Sequence, residues 1–192
     1  MSADEGRGVM LLVSGPSGSG KSTICRRLLE DERVVFSISA TTRPPRAGEE
    51  DGVHYHFLAP ERFGELRDEG AFIEYAEVHG NMYGTLRAPM ERALAAGKVY
   101  LVEIDVQGAL QLKGLGQEGL YVFIAPPDMD ELERRLRGRA TDAADVIERR
   151  LAKAMGEMAE RDKYDHIVIN DDFERALAEV RALAGLEAGA GA

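Results

Sequence analysis

The feature that most restricts the fold is an eight-residue motif, GPSGSGKS, at positions 15–22. It matches the pattern G-x-x-x-x-G-K-[ST] of phosphate-binding loops (P-loops). An apolar run, residues 9–13, precedes the motif, and an amphipathic stretch, residues 21–30, follows it. Because this motif binds phosphate where a strand runs through a glycine-rich loop into a helix, we expect a strand, a loop and a helix here.

The residue types in the motif suit a polyphosphate. Glycines let the backbone curl so that successive N–H groups point at phosphate oxygens, and the helix N-terminus adds partial positive charge. Lys21 would bring an ammonium group to the outer phosphates, and the Ser22 hydroxyl can ligate Mg²⁺. The loop residues predicted to bind ATP are Gly15, Pro16, Ser17, Gly18, Ser19, Gly20, Lys21, Ser22 and Thr23.

Beyond the loop, apolar strand-like runs alternate with helical patterns. The strand candidates are residues 9–13, 34–38, 99–104, 120–124 and 166–169. Such alternation predicts an α/β fold, a P-loop NTPase core in which helices flank a parallel sheet. Residues 39–87 break the pattern with glycines, prolines and short alternating stretches such as 53–57, which predict a small mixed or antiparallel insertion. A polar gap at 137–145, between two helical patterns, indicates a helical lid.

We therefore expect a single domain made of three parts and a frayed tail. The core comprises residues 1–38, 88–127 and 160–187, the insertion residues 39–87, the lid residues 128–159 and the tail residues 188–192.

Composition excludes several classes of protein. With 44% hydrophobic residues the chain can bury a core and is not disordered as a whole. A net charge of -10 argues against non-specific binding to nucleic acid or to anionic membranes, because like charges repel. A single cysteine excludes an internal disulfide. With neither a basic leader nor an apolar run of about 20 residues, we expect a cytoplasmic protein, and the sequence leaves open whether it is a monomer or a homodimer.

A carboxylate at the end of a strand candidate suits a metal site. Asp105 follows the apolar run 99–104, where a Walker B aspartate would assist Ser22 in holding Mg²⁺. It could equally cap the next helix, and the two roles are compatible. Glu103 either orders metal-bound water or is structural. The D-x-x-G spacing after Asp105 also occurs in GTPases, but residues 170–173, NDDF, are not the N-K-x-D motif that a GTPase needs.

Further motifs follow in a fixed order. Arg43 and Arg46, in TTRPPR, form a fork stiffened by two prolines, which suits an anionic group. FIEY lies within residues 70–76, GNMYGT spans 80–85 and IVINDD spans 167–172. Together with the P-loop, these motifs make the sequence resemble the guanylate kinase family over nearly its whole length. The resemblance implies Mg²⁺-dependent transfer of a phosphoryl group from ATP to GMP, directly and in line.

The resemblance also implies a set of GMP contacts. The residues matching the family's phosphate grip are Arg43, Arg46, Tyr55 and Tyr83, and those around the guanine base are Ser39, Glu74, Thr85 and Asp105. A carboxylate such as Glu74 would accept hydrogen bonds from guanine N1–H and the 2-amino group, and the Thr85 hydroxyl can donate to O6. Adenine lacks N1–H and the 2-amino group, so it would leave the Glu74 charge unpaired.

On the ATP side, the resemblance points to arginines and to the late strand. Arg135, Arg139 and Arg150 would converge on the ATP phosphates, whereas Asn170 and Asp171 would touch adenine or merely cap a strand-to-helix turn. The implied catalytic residues are Lys21, Arg46, Arg139 and Arg150. The other arginines of this region, Arg134, Arg137 and Arg149, are expected to form ion pairs on solvated helix faces. Ala140 departs from the glycine common after the lid arginine in the family.

Two other interpretations remain at this point. The chain could be a P-loop kinase for another nucleoside monophosphate, against which Glu74 and Thr85 argue. It could be a non-catalytic guanylate-kinase-like binding module, but such modules generally have degraded P-loops, whereas Lys21 and Ser22 are both present.

Overall fold

The computed structural model describes residues 8–78, 80–138 and 144–187. In chain order the strands are β1 (Val9–Ser14), β2 (Val34–Phe36), β3 (Ala40–Thr41), β4 (His56–Phe57), β5 (Phe72–Val78), β6 (Asn81–Leu86), β7 (Val99–Glu103), β8 (Leu120–Ala125) and β9 (His166–Ile169). The helices are α1 (Lys21–Leu28), α2 (Pro60–Asp68), α3 (Arg87–Ala95), α4 (Val106–Gly114), α5 (Met129–Arg137), α6 (Ala144–Ala159) and α7 (Phe173–Leu183), with a 3-10 helix at Arg161–Lys163.

The larger sheet is parallel and has the order β2-β7-β1-β8-β9. Its central strand β1 is buried on both faces, so successive side chains enter different layers of the core. Leu11 and Val13 pack with residues of α1 and α7, whereas Met10 and Leu12 pack with residues of α3 and α4. Helices therefore cover both faces, and the predicted α/β fold class is confirmed.

The smaller sheet is mixed and has the order β4-β3-β6-β5. Its pair β3–β4 is parallel, and the pairs β3–β6 and β6–β5 are antiparallel. Helix α2 covers this sheet and contributes Phe63, whose ring stacks on that of Phe72 with centroids 4.4 Å apart. Both rings are buried, together with Ala40, in a core of their own.

One sequence expectation is wrong in detail within this sheet. The alternating stretch 53–57 forms a strand only at His56–Phe57. The backbone N–H groups of Val53 and His54 both donate to the carbonyl oxygen of Glu50, so the chain turns before it extends. Local turn hydrogen bonds thus override the alternating pattern.

The parallel sheet places several loops at one edge. The P-loop follows β1, Asp105 follows β7 and Asn170 follows β9, so all three lie at the carboxyl ends of strands. In open α/β sheets this edge is where ligands bind. In the part of the chain that the structure describes, no helix is long and apolar enough to cross a membrane.

The core of the small sheet can be tested with Phe63. Replacing this buried ring by alanine leaves a cavity against Phe72, so we expect Phe63→Ala to lower the free energy of unfolding by about 3–5 kcal/mol. The control Phe63→Leu fills more of the space and should lose less. Urea unfolding followed by circular dichroism measures both. A loss below about 1 kcal/mol for the alanine variant would contradict a packed core here.

Candidate active site

The P-loop leaves β1 through a tight contact with the neighbouring strand. Gly15 has φ of 140°, and a Cβ there would lie 2.2 Å from the carbonyl oxygen of Ile124 on β8, so only glycine fits. The loop then encloses a hollow of about 290 Å³. Its lining residues are Ser17, Gly18, Gly20, Lys21, Ser22, Thr23 and Arg26. The structure thus brings most of the predicted loop residues around one space.

This hollow suits an anion. Helix α1 begins after Gly20, which has no side chain to cap the first turn, and that turn holds Lys21, Ser22 and Thr23 without an acidic residue. The amide dipoles and the Lys21 ammonium therefore add positive charge at the same point. Arg26 adds a further cation one turn on.

Ser22 is paired with a carboxylate on the adjacent strand. Its Oγ donates to Oε1 of Glu103 at 2.5 Å, and Glu103 ends β7 opposite Val13 of β1. Asp105 makes a different hydrogen bond: its Oδ1 accepts from the N–H of Gly108 at 2.8 Å and caps α4. The structure therefore brings Ser22 to Glu103, a partner that the sequence left undecided.

Oxygen ligands of this kind suit Mg²⁺, which prefers hydroxyl, carboxylate and phosphate oxygens. Within residues 8–78, 80–138 and 144–187, no group of three or more His, Cys, Asp or Glu side chains is arranged to hold a metal alone. A cation between Ser22 and Glu103 would have to complete its shell with water and with oxygens of a bound phosphate. This is how Mg²⁺ binds in many kinases.

A second hollow lies between the two sheets. It has a volume of about 390 Å³, and its walls come from β5 and β6 on one side and from the end of β7 and the start of α4 on the other. Six of the residues expected to contact GMP line it: Ser39, Tyr55, Glu74, Tyr83, Thr85 and Asp105. We refer to this space as the inter-sheet cleft.

Glu74 is a half-buried acid of the cleft, and its partner lies across the strand pair. It faces Thr85 in the register of β5 and β6, directly after a bulge between Phe72 and Glu74. The Thr85 hydroxyl donates to Oε1 of Glu74 at 2.7 Å. Burial raises the pKa of Glu74, the bond from Thr85 opposes this, and the negative charge of Asp105 raises the pKa further.

The same bond changes what Thr85 can do. Its single hydroxyl proton goes to Glu74, so Thr85 does not donate to a base while this bond is formed. The bond instead holds Oε1 of the Glu74 carboxylate in a fixed orientation. Ser39 is the remaining hydroxyl among the predicted base contacts in the cleft.

Arg43 lies against the aromatic wall of the cleft. Its guanidinium carbon is 5.5 Å from the centre of the Tyr55 ring, and that ring is 6.0 Å from Tyr83. Arg46 is exposed on the same loop, and its backbone N–H donates to Oε2 of Glu49 at 2.7 Å.

Glu49 is a residue of this loop that sequence reasoning missed. Its Oε1 accepts from Nη2 of Arg43 at 2.8 Å, so one carboxylate holds both the Arg43 side chain and the backbone at Arg46. The bond from Arg43 lowers the pKa of Glu49 to about 2. The sequence did contain a signal for this role: Glu49 lies three residues after Arg46 and six after Arg43. An acid at that distance can bind both positions of the loop.

The remaining ATP-side residues lie in different surroundings. Arg135, on α5, donates to Oε1 of Glu131 at 2.7 Å and to the carbonyl oxygen of Asn170 at 2.8 Å. The Asn170 side chain is buried and faces the P-loop, whereas Asp171 is exposed and pairs with Arg175. Of the two predicted phosphate contacts further along the chain, Arg150 is half-buried on α6 and Arg139 lies outside the described residues.

The neighbouring arginines form ion pairs on helix faces, as expected. Arg134 pairs with Glu131 at 2.6 Å and Arg137 with Glu133 at 2.6 Å. Arg149 pairs with Asp145 at 3.0 Å.

Comparison with known proteins agrees with this geometry. The family model described as guanylate kinase matches residues 7–185. The chain belongs to the guanylate kinase family. The resemblance seen in the sequence motifs is thereby confirmed.

Individual relatives cover nearly the whole chain. The guanylate kinase of Sphingopyxis alaskensis is 51% identical over 92% of this chain and 81% of its own length. That of Anaeromyxobacter dehalogenans is 54% identical over 92% of this chain and 79% of its own. The crystal structure of guanylate kinase from Anaplasma phagocytophilum superimposes with a TM-score of 0.70 at 34% identity, over 96% of this chain and 89% of the other.

The role of Glu49 can be tested by removing its carboxylate. We expect Glu49→Ala to raise the KM for a nucleoside monophosphate about tenfold, because Arg43 and the Arg46 turn lose their common brace. The KM for ATP should change less than twofold. Steady-state kinetics with each substrate varied in turn measures both constants.

The matched control is Glu50→Ala, which removes the same charge from the adjacent, exposed position. It should behave like the wild type. A lower KM for the monophosphate in Glu49→Ala would contradict the bracing role, because it would mean that Glu49 competes with the phosphate for Arg43.

Burial of Glu74 predicts a pH-dependent effect on stability. Since the pKa of Glu74 is raised in the folded protein, its ionised form costs stability above that pKa, and the cost vanishes at lower pH where the group is neutral. Glu74→Gln should therefore raise the Tm by about 2–4 °C at pH 7, which corresponds to an increase of about 1 kcal/mol in the free energy of unfolding. The difference from the wild type should shrink as the pH falls through the folded pKa.

Thermal unfolding between pH 4 and 8 measures this difference. Glu77→Gln, at an exposed position of the same strand, is the control and should leave the Tm unchanged. A lower Tm for Glu74→Gln at pH 7 would show that the Thr85 bond outweighs desolvation.

Proposed function

We propose that this protein transfers the γ-phosphoryl group of ATP to GMP, which gives ADP and GDP. Membership of the guanylate kinase family makes the chain an enzyme of the nucleoside monophosphate kinase class. The observation that carries the assignment to these residues is the hydrogen bond that joins the two hollows. Glu103 lines the inter-sheet cleft and also accepts the hydrogen bond of Ser22 in the P-loop hollow, so a nucleotide in each would bring phosphate ends together.

The cleft is proposed to bind guanine. The carboxylate of Glu74 would accept hydrogen bonds from N1–H and the 2-amino group, with Thr85 holding Oε1 in place. Ser39 would supply the donor for O6, and Asp105 would bind from the β7 side. Adenine offers no donor at N1 and none at C2, and a buried carboxylate without a partner is costly, which supports selection against AMP.

The phosphate of GMP is proposed to lie where the cleft meets the arginine loop. Arg43, Arg46, Tyr55 and Tyr83 would surround it with two guanidinium groups and two phenolic donors. A dianion suits such a set because charge-assisted hydrogen bonds are stronger than neutral ones.

ATP is proposed to bind through the P-loop. The backbone N–H groups of residues 15–23 and Lys21 would hold its β- and γ-phosphates, and Arg135, Arg139 and Arg150 would approach from the opposite side. An oxygen of the GMP phosphate attacks the γ-phosphorus as the bond to the β,γ-bridging oxygen breaks, so the electron pair leaves with ADP. Lys21, Arg46, Arg139 and Arg150 would share the charge of the transferring group, and most of the rate enhancement would come from alignment and neutralisation.

The donor set at Ser22 and Glu103 fits Mg²⁺ bound together with ATP. When bound, Mg²⁺ would neutralise charge on the β- and γ-phosphate oxygens. Of the two carboxylates considered from the sequence, Glu103 is the better proposed ligand, since Asp105 caps α4 and faces the cleft. Asp105 then contributes on the GMP side.

We further propose that residues 39–87 act as a GMP-binding insertion and residues 128–159 as a lid, both attached to the core. The small sheet lies wholly within residues 40–86, which supports the first assignment. The net charge of -10 argues against nucleic acid and anionic membrane lipid as partners, so we propose small nucleotides, bound at locally basic sites in the cytoplasm.

Release of ADP, measured in a coupled assay with ATP and each of GMP, AMP, CMP and UMP, tests the assignment. We expect a preference for GMP over AMP of about 10⁴ or more in kcat/KM. Glu74→Gln should reduce this preference at least about tenfold, and Glu61→Gln, at an exposed position of α2 away from the cleft, should leave it unchanged. Turnover of another monophosphate at a rate equal to that of GMP would contradict guanine recognition, and no turnover with any acceptor would indicate a binding module.

A further inference from the structure

Asn170 lies directly after β9 and under the P-loop. Its backbone N–H donates to the carbonyl oxygen of Ala125 at 2.8 Å, which continues the pairing of β9 with β8. Its side chain is 6% exposed, and Nδ2 donates to the carbonyl oxygen of Ser19 at 2.7 Å. The amide is therefore directed at the backbone of the loop, whereas the family resemblance had left Asn170 between a contact with adenine and a cap of the strand-to-helix turn.

The P-loop backbone at this point depends on that amide. Ser19 is fully buried, so its carbonyl oxygen has no access to water and needs a protein donor. Gly20 has φ of 96°, and a Cβ there would lie 2.2 Å from Nδ2 of Asn170. The amide thus fills the space beside Gly20. Any side chain at position 20 would collide with Asn170 in this position.

A second contact joins Asn170 to α5. Arg135 donates to the carbonyl oxygen of Asn170 at 2.8 Å while it pairs with Glu131. Asn170 is therefore bonded to the P-loop through its side chain and to a helix of the proposed lid through its backbone. Asn170 thus contacts both Arg135 and the P-loop, and both are proposed to bind ATP phosphates.

We propose that Asn170 is a positioning residue for the triphosphate of ATP. It acts through Ser19 and Gly20, because its hydrogen bond fixes the direction of the N–H groups that follow in the loop. It makes no contact with the adenine base. This inference rests on the proposed function only in taking the P-loop as the ATP site.

The isosteric variant Asn170→Asp tests the bond. A carboxylate oxygen replaces the amide donor and faces the carbonyl oxygen of Ser19, so the loop is pushed away from its position. We expect the Kd for ATP, measured by titration calorimetry, to rise at least about tenfold. The KM for GMP should stay within about twofold of the wild type, whereas a general loss of folded protein would lower kcat and leave both KM values unchanged.

Inorganic tripolyphosphate and GTP separate positioning from base contact. If Asn170 acts through the loop, its variants lose affinity for ATP, for GTP and for tripolyphosphate by similar factors. If the loss is confined to ATP, Asn170 contacts adenine and the proposal is overturned. Unchanged affinity for all three ligands overturns it as well.

Two further variants complete the experiment. Asn170→Ala removes the donor without adding charge, so it tests the same bond if the aspartate variant does not fold. Asp172→Asn is the matched control two residues away, since asparagine caps α7 as well as aspartate does, and it should bind all three ligands like the wild type. Tripolyphosphate binding needs no catalysis, so wild-type protein that binds ATP but leaves GMP unphosphorylated contradicts the proposed function alone. Wild-type protein that binds none of the three ligands overturns both.

Discussion

The pairing of β1 with β7 on one side and β8 on the other is the constraint on which the site depends. It brings the carboxyl ends of these strands to one edge of the sheet, where the P-loop follows β1 and Glu103 ends β7. The register places Glu103 opposite Val13, and its carboxylate then accepts the bond from Ser22. The phosphate loop, the proposed metal ligands and one wall of the cleft are thus held by the same ladder of backbone hydrogen bonds.

Positive charge is concentrated near the proposed phosphate sites, although the protein as a whole is acidic. Many arginines are neutralised by neighbouring acids on helix faces, so they add little to the field at the cleft. Arg43 differs because its acid, Glu49, also binds the backbone at Arg46 and therefore fixes the shape of the loop. An ion pair inside an anion site can raise affinity by ordering the cation in advance, although it lowers the net positive charge.

Local patterns were sufficient to predict the larger sheet, the P-loop and the mixed character of the insertion, because each follows from apolar runs, glycines and spacing. They favoured Asp105 as the metal ligand and left the role of Glu103 open, since the contact of Glu103 with Ser22 depends on the register of β7 against β1. The direction of the Thr85 proton and the turn of Asn170 toward Ser19 likewise depend on residues far apart in the chain. Family resemblance supplied residue positions but not these hydrogen bonds.

The bulge between Phe72 and Glu74 has a consequence for how the base pocket is encoded. Phe72 packs in the core of the small sheet, and the next residue, Ile73, packs in the layer beneath the large sheet. Because one extra residue is accommodated here, Glu74 faces the cleft. In a regular strand the insertion or deletion of one residue exchanges the two faces. The proposed selectivity for guanine thus depends partly on the backbone, because a regular strand of the same sequence would turn Phe72 and Glu74 to the same face and take the carboxylate out of the cleft.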